Sequence, residues 1–214
     1  MLLSTAYFPP LAWFALAAKD MTLSPDRVLP SHVLLEACEN YQKQSYRNRC
    51  YILAGDGMQM LQVPVVHGAS LAIRDIRVDY STPWALRTER ALDAAYQTSA
   101  YYDYYRDELF ALLEARPVLL WELNLSTIRF ILGKTGIACC LSDTLDFAAP
   151  GSVADDFRFA IHPKRPDDVL DSLGLSRPYY QVFRDRMGGF TPVLSCLDLL
   201  FNEGPDSLLW LKGL

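Results

Sequence analysis

The chain has 214 residues, 51% of them hydrophobic and 21% charged, which is enough length and apolar content to bury a substantial core. Its formal net charge of -5 argues against a general nucleic-acid binder, whose footprint is a basic face. No uninterrupted apolar run reaches the roughly 18 residues a membrane helix needs. The five cysteines, at 38, 50, 139, 140 and 196, form no Cys-x-x-Cys pair and have no histidine at metal spacing. Free thiols, no metal site and a cytoplasmic protein without membrane insertion are predicted.

Leu2 to Tyr7 suits a buried first strand, and Phe8-Pro9-Pro10 then forces a turn. The alanine-rich run from Leu11 to Ala18 reads as a helix packed on both sides, opened by a proline in its first turn. The segment imitates a signal peptide, but it lacks a cationic start and the two prolines break the apolar core, so it is read as mature structure. A strand, a turn and a helix in that order place Tyr7 at the carboxyl edge of a sheet, where α/β folds hold ligands.

Met21 to His32, with Pro25 and Pro30, reads as a loop before a strand at 33–36. Between that strand and the next, at 49–54, lies Glu36 to Cys50, which crowds acids, amides, tyrosines and cations. Lys43, Arg47 and Arg49 can fork a phosphate or carboxylate, with Asn40, Gln42, Gln44 and Asn48 adding neutral hydrogen bonds. Glu36, Glu39 and Lys43 are the catalytic candidates. The same composition equally describes a solvated loop with local ion pairs.

Gly55-Asp56-Gly57 turns the chain into a strand over 58–66, with Pro64 marking an edge. The alternation of Ile76, Val78 and Tyr80 predicts a strand over 73–80. Helices are predicted to begin near 10, 83, 101 and 118. Thr82-Pro83 opens the second, Tyr102, Tyr105, Leu109 and Leu112 share a face of the third, and Gly133 or Gly136 stops the fourth. Adjacent Cys139 and Cys140 read as buried small hydrophobes, and Ser142 to Asp171 as a linker or long loop. Ser195 with Asp198 reads as a capping box for the helix that follows. The three histidines, His32, His67 and His162, read as surface or hydrogen-bonded residues rather than bases; His32 and His67 lie near the polar block, and His67 is the one to test.

The block Glu-x-x-Glu-Asn-Tyr-x-Lys-Gln-Ser-Tyr-Arg-Asn-Arg-Cys, from Glu36 to Cys50, resembles the signature of the WbqC-like family of bacterial proteins. The opening strand, proline turn and aromatic-rich helix are similar to that family's, as is Gly189-Phe190-Thr191-Pro192-Val193-Leu194-Ser195 near the end. Where many members carry a His-Gln-Pro-Asn-type turn, this chain has Ala6-Tyr7-Phe8-Pro9-Pro10. The resemblance implies group transfer onto an activated or nucleotide-linked sugar in surface-polysaccharide biosynthesis. In that reading Lys43, Arg47 and Arg49 hold the leaving group, Glu36 or Glu39 is the base, and Asn40 and Tyr41 orient the acceptor. The alternative is a non-catalytic module for an anionic ligand or a partner enzyme. The expected partner is a small anionic molecule, with sugar nucleotides as candidates, and no cofactor is named by the sequence.

The fold expectation is α/β, a mixed sheet backed by a layer of helices, with α+β as the alternative. Residues 1–140 form the main body, 141–177 a linker or long loop, and 178–214 an apolar helical segment that packs back onto it.

Overall fold

The computed structural model describes residues 1–24, 26–66, 68, 72–165 and 168–214. The chain passes through β1 (Leu2–Ser4), α1 (Leu11–Lys19), β2 (Thr22–Ser24), β3 (Arg27–Leu29), β4 (Ser31–Glu36), β5 (Arg49–Ala54) and β6 (Gly57–Gln62). It continues with α2 (Trp84–Tyr96), α3 (Tyr102–Glu114), α4 (Leu120–Thr135), β7 (Cys139–Asp143), α5 (Val169–Ser172), α6 (Cys196–Glu203) and α7 (Ser207–Leu211). The α/β expectation holds, and the four long helices begin within two residues of their predicted starts. Among the described residues no helix is long and apolar enough to cross a membrane.

The predicted single sheet is three smaller ones. Strands β1, β4 and β7 form a parallel sheet in that order, with Ser4 opposite Glu36 and Leu35 opposite Asp143. Strands β5 and β6 pair as an antiparallel hairpin, and so do β2 and β3, inside the segment read as a loop. The predicted strand over 73–80 does not form. Ile73–Asp75 is a 3-10 turn, and beyond it the strand pairing among the described residues is limited to the isolated bridges Val65 to Val78 and Arg77 to Leu119. Its alternation is nonetheless satisfied, since Ile76 and Val78 are buried and Tyr80 is half-buried, so period-2 burial occurred without a ladder.

Cys139 and Cys140 start β7, an edge strand, and are half-buried and exposed rather than core residues. All five cysteines are free.

Helix α1 has eight consecutive buried residues, Leu11 to Ala18, because β4 lies on one side and α5, α6 and α7 on others. Alanines allow those approaches without voids. The indole of Trp13 donates to the Ser4 carbonyl at 3.1 Å, fixing the helix to the end of β1. At the other end Lys212 Nζ donates to the carbonyls of Ala18 and Met21 at 3.1 and 2.6 Å, a cation placed on the negative end of the helix. Helix α4 stops at Gly136, whose φ of 75° is the left-handed cap glycine adopts without strain. Helix α2 departs from expectation at its start, where Pro83 occupies the cap position and no side chain caps the helix.

The C-terminal region docks through Asp198. Ser195 caps α6 by accepting from the Leu197 amide at 3.3 Å, but the Asp198 carboxylate does not return the bond as a capping box would. It accepts from Tyr96, Tyr179 and Gln181 at 2.9, 2.6 and 2.8 Å, joining α6 to α2 and to the 179–181 segment. Among the described residues no cation accompanies this fully buried carboxyl, and burial outweighs the three donors, pushing its pKa up to about 6. Because the folded-state value is the raised one, the protonated form favours folding, and that stability is present at low pH and lost as pH rises through about 6. We expect an unfolding free energy that falls by about 3 kcal/mol from pH 3 to pH 7 through this group. Urea titrations of the wild type and of Asp198→Asn check it, because the variant lacks this part of the slope. A second expectation concerns Gly204, whose φ is +53° and where an added Cβ would lie 2.5 Å from the Tyr101 ring. Gly204→Ala should cost about 2–4 kcal/mol by the same assay, since both the backbone and the packing oppose it.

Candidate functional site

Three parallel strands end at Ser4, Glu36 and Asp143, and the segments that leave them converge beyond the carboxyl edge. The backbone folds the polar block back on this edge. Tyr7 N donates to the Tyr46 carbonyl at 2.9 Å, and Asn124 Nδ2 in α4 donates to the Arg47 carbonyl at 2.8 Å. Gln44 takes a φ of +58° to make the turn.

Arg47 is thereby buried to 2% exposure beside Glu39 at 3%. Its Nε donates to Glu39 Oε1 at 3.1 Å and its Nη2 to Oε2 at 2.7 Å, a bidentate fork, while Nη2 also reaches Ser4 Oγ at 2.6 Å. Ser4 Oγ in turn donates to Glu39 Oε2 at 3.2 Å.

Glu36 is fully buried and meets a second arginine that the sequence did not single out. Arg158 Nη1 donates to its Oε2 at 2.9 Å, and Arg158 also forks Asp156, with Nε on Oδ1 at 2.9 Å and Nη2 on Oδ2 at 2.6 Å. Glu36 further accepts from Thr144 Oγ1 and the Cys38 and Ala148 amides, at 2.7, 2.9 and 3.0 Å. Its four acceptor positions are therefore filled. Hydrogen bonding and attraction from Arg158 hold Asp156 below the usual carboxylate range. The rings of Phe147 and Phe159 lie 5.3 and 5.4 Å from the Arg158 guanidinium.

Between the two arginines lies a cleft walled by Ser4, Thr5, Trp13, Tyr46, Phe157 and Ile161, with about 10 Å³ of open interior, room for one water. One polar group on its wall is left without a partner. The Thr5 hydroxyl is buried without a hydrogen-bond partner, and Arg47 Nη1 takes no part in the Glu39 and Ser4 bonds. His162 stands close enough for Arg47 to affect it, and burial together with Arg165, Arg47 and Lys164 lowers its pKa.

The other expected site residues are dispersed. Lys43 is exposed, and Asn40 is exposed and bridged to Ala72. Tyr41 is half-buried near Arg49, and burial raises its phenol pKa. The Arg49 Nε is buried without a partner. Asn48 is buried and donates to the Val63 carbonyl at 2.8 Å, which fastens the block to the chain after β6. Tyr7 turns away from the cleft toward α2, its ring 6.4 Å from that of Trp84 and its hydroxyl beside Thr88 without a well-formed hydrogen bond. His67 lies outside the described residues.

Sequence reasoning missed Ser4, Thr5, Thr144, Asp156 and Arg158. The available signal was Asp156-Phe157-Arg158-Phe159, an arginine two residues from an acid and flanked by aromatics inside an otherwise weakly patterned stretch.

Such a fold and site define an α/β protein with a buried charge cluster at the carboxyl edge of a parallel sheet. The chain belongs to the WbqC-like protein family, whose model matches residues 6–162 and so includes the whole polar block and Arg158. It is also 29% identical over 194 residues to an uncharacterized protein of Mycobacterium tuberculosis, a match covering 80% of this chain and 84% of that one. No solved structure matches the chain significantly.

The buried Arg47–Glu39 pair sets a clear expectation. Glu39→Gln should destabilise the fold by about 3–5 kcal/mol, because it leaves a buried guanidinium uncompensated. The apolar double replacement Arg47→Met with Glu39→Leu should recover most of the loss, as denaturant titration of the three proteins would measure. A double variant no more stable than the single one contradicts it.

Proposed function

We propose that this protein binds a small anionic ligand at the carboxyl-edge cleft, and that Arg47 and Thr5 are the groups that receive it. The observation that carries the reading is the Thr5 hydroxyl, buried without a partner on the wall of a cleft that Arg47 also lines. A buried hydroxyl without a partner costs about 1–3 kcal/mol, which a ligand oxygen would recover. The cleft admits about one water as it stands, so entry of anything larger requires the stretch carrying Phe157, Arg158 and Ile161 to yield. Binding rather than catalysis is favoured by Glu36, whose acceptor positions are full.

Group transfer to an activated sugar is the second reading, and one contact favours it. Ser4 Oγ donates to Glu39 Oε2 at the cleft wall, and Glu39 accepts three bonds, leaving one position for a proton. In that reading an acceptor hydroxyl attacks the donor's transferable group, Glu39 takes the hydroxyl proton, and the leaving group departs with its electron pair toward Arg47. The Arg47 fork already occupies both Glu39 oxygens, which is why this reading ranks second.

The test is calorimetry with inorganic phosphate and UDP-glucose on the wild type and Thr5→Val. Binding to the wild type that weakens about tenfold in the variant, with stability unchanged or raised by about 1 kcal/mol, supports the ligand site. Binding of neither probe, or equal binding by both proteins, overturns it. Mass spectrometry of the UDP-glucose after incubation with an acyl donor separates the two readings, since only transfer adds mass to the sugar.

A further inference from the structure

A second cleft, unrelated to the carboxyl edge, lies where the start of α2 faces the end of α3. It encloses about 460 Å³, a volume suited to a small molecule. Leu86 and Leu113 supply apolar wall, Tyr80 an aromatic face, and Glu89, Glu114 and Arg116 the charge.

Tyr80 is held rigidly. Its hydroxyl donates to the Pro117 carbonyl at 2.9 Å, and Trp84 packs against the ring at a centroid distance of 5.7 Å. The Arg116 guanidinium sits over Tyr80, 4.7 Å from the ring centroid, so a cation already occupies the aromatic face. Yet Arg116 forms no ion pair within 4 Å with Glu89 or Glu114, and neither glutamate is ion-paired with any other described residue. The two carboxylates repel one another, and burial and that repulsion both raise the Glu89 pKa, a cost that a cation seated between them would relieve. Arg116 reaches the ring from a backbone φ of +49°, a position helices usually give to glycine.

We infer that this cleft is a binding site for a small organic cation bearing a guanidinium or ammonium group, and that Arg116 occupies the aromatic part of it from within. The ligand's cationic head takes the Tyr80 face, its second polar end lies between Glu89 and Glu114, and its aliphatic part covers Leu86 and Leu113. Arg116 swings out as the ligand enters, which makes the empty site self-blocked.

The probe is agmatine, which carries a guanidinium at one end and an ammonium at the other, titrated calorimetrically into the full chain at low ionic strength. Arg116→Gly removes the internal occupant and suits the backbone, so agmatine affinity should rise about fivefold. Glu89→Gln with Glu114→Gln should lower it about tenfold, in a partly exposed site where each charge contributes modestly. Tyr80→Leu should lose the preference for agmatine over sodium ions at equal ionic strength. A loss of agmatine affinity in Arg116→Gly overturns the assignment, because Arg116 would then support the ligand and not block it. Absence of agmatine binding to both the wild type and Arg116→Gly overturns it as well.

Discussion

Two buried arginine–carboxylate pairs at the end of the parallel sheet hold the rest of the molecule in place. Glu36 leaves β4 and is gripped by Arg158, and Glu39 three residues later is gripped by Arg47. The four residues are each 3% exposed or less, so none can be compensated by solvent. One consequence is register. Ser4, Glu36 and Thr144 come from successive strands or their ends, and the pairs bind them to each other through Glu39, Arg47 and the Glu36 carboxylate. A one-residue slip of β4 would bury Glu36 without its donors. The charges therefore select one arrangement more than they add to its stability.

Much of the fold was legible because helical periodicity is local. The faces of α3 and α4 and the glycine stop at Gly136 follow from residues within one turn of each other. The 73–80 segment shows where that logic ends, since alternation reports which side faces the core and says nothing about a neighbouring strand. Strand β7 shows the converse. Cys139-Cys140-Leu141-Ser142-Asp143 has no polar–apolar alternation to read, although Cys139 and Leu141 are half-buried and Cys140 and Ser142 exposed, because an edge strand is defined by its partner β4 and not by its own pattern.

The candidate site divides along the same line. Glu36, Glu39 and Arg47 stand within twelve residues and their clustering marked them, although only contacts reveal which acid each arginine serves. Arg158 lies 122 residues from Glu36 in a stretch with little periodicity, so no local signal connected the two. Exposed Lys43 and Asn40 carried the same sequence signal as buried Arg47, because residue type reports what a side chain can do and not where the backbone turns it. Asp198 makes a similar point: a helix-capping spacing was present, and three donors from elsewhere in the molecule took the carboxylate instead.

The pairing of β1 bears on the order in which the chain can fold. Leu2 bonds on one side to β4 and on the other to the far segment, through Leu2 N to the Asp155 carbonyl at 2.8 Å and Phe157 N to the Leu2 carbonyl at 2.9 Å. Strand β1 is thus completed only after a neighbour about 150 residues further along the chain has been made. Closing so long a loop gives no reward until both ends meet, so the rate of folding rests on that encounter. Until it happens, the apolar Leu2 and Leu3 and the unmatched carboxylate of Glu36 wait together, a stage at which a nascent chain depends on protection from its neighbours.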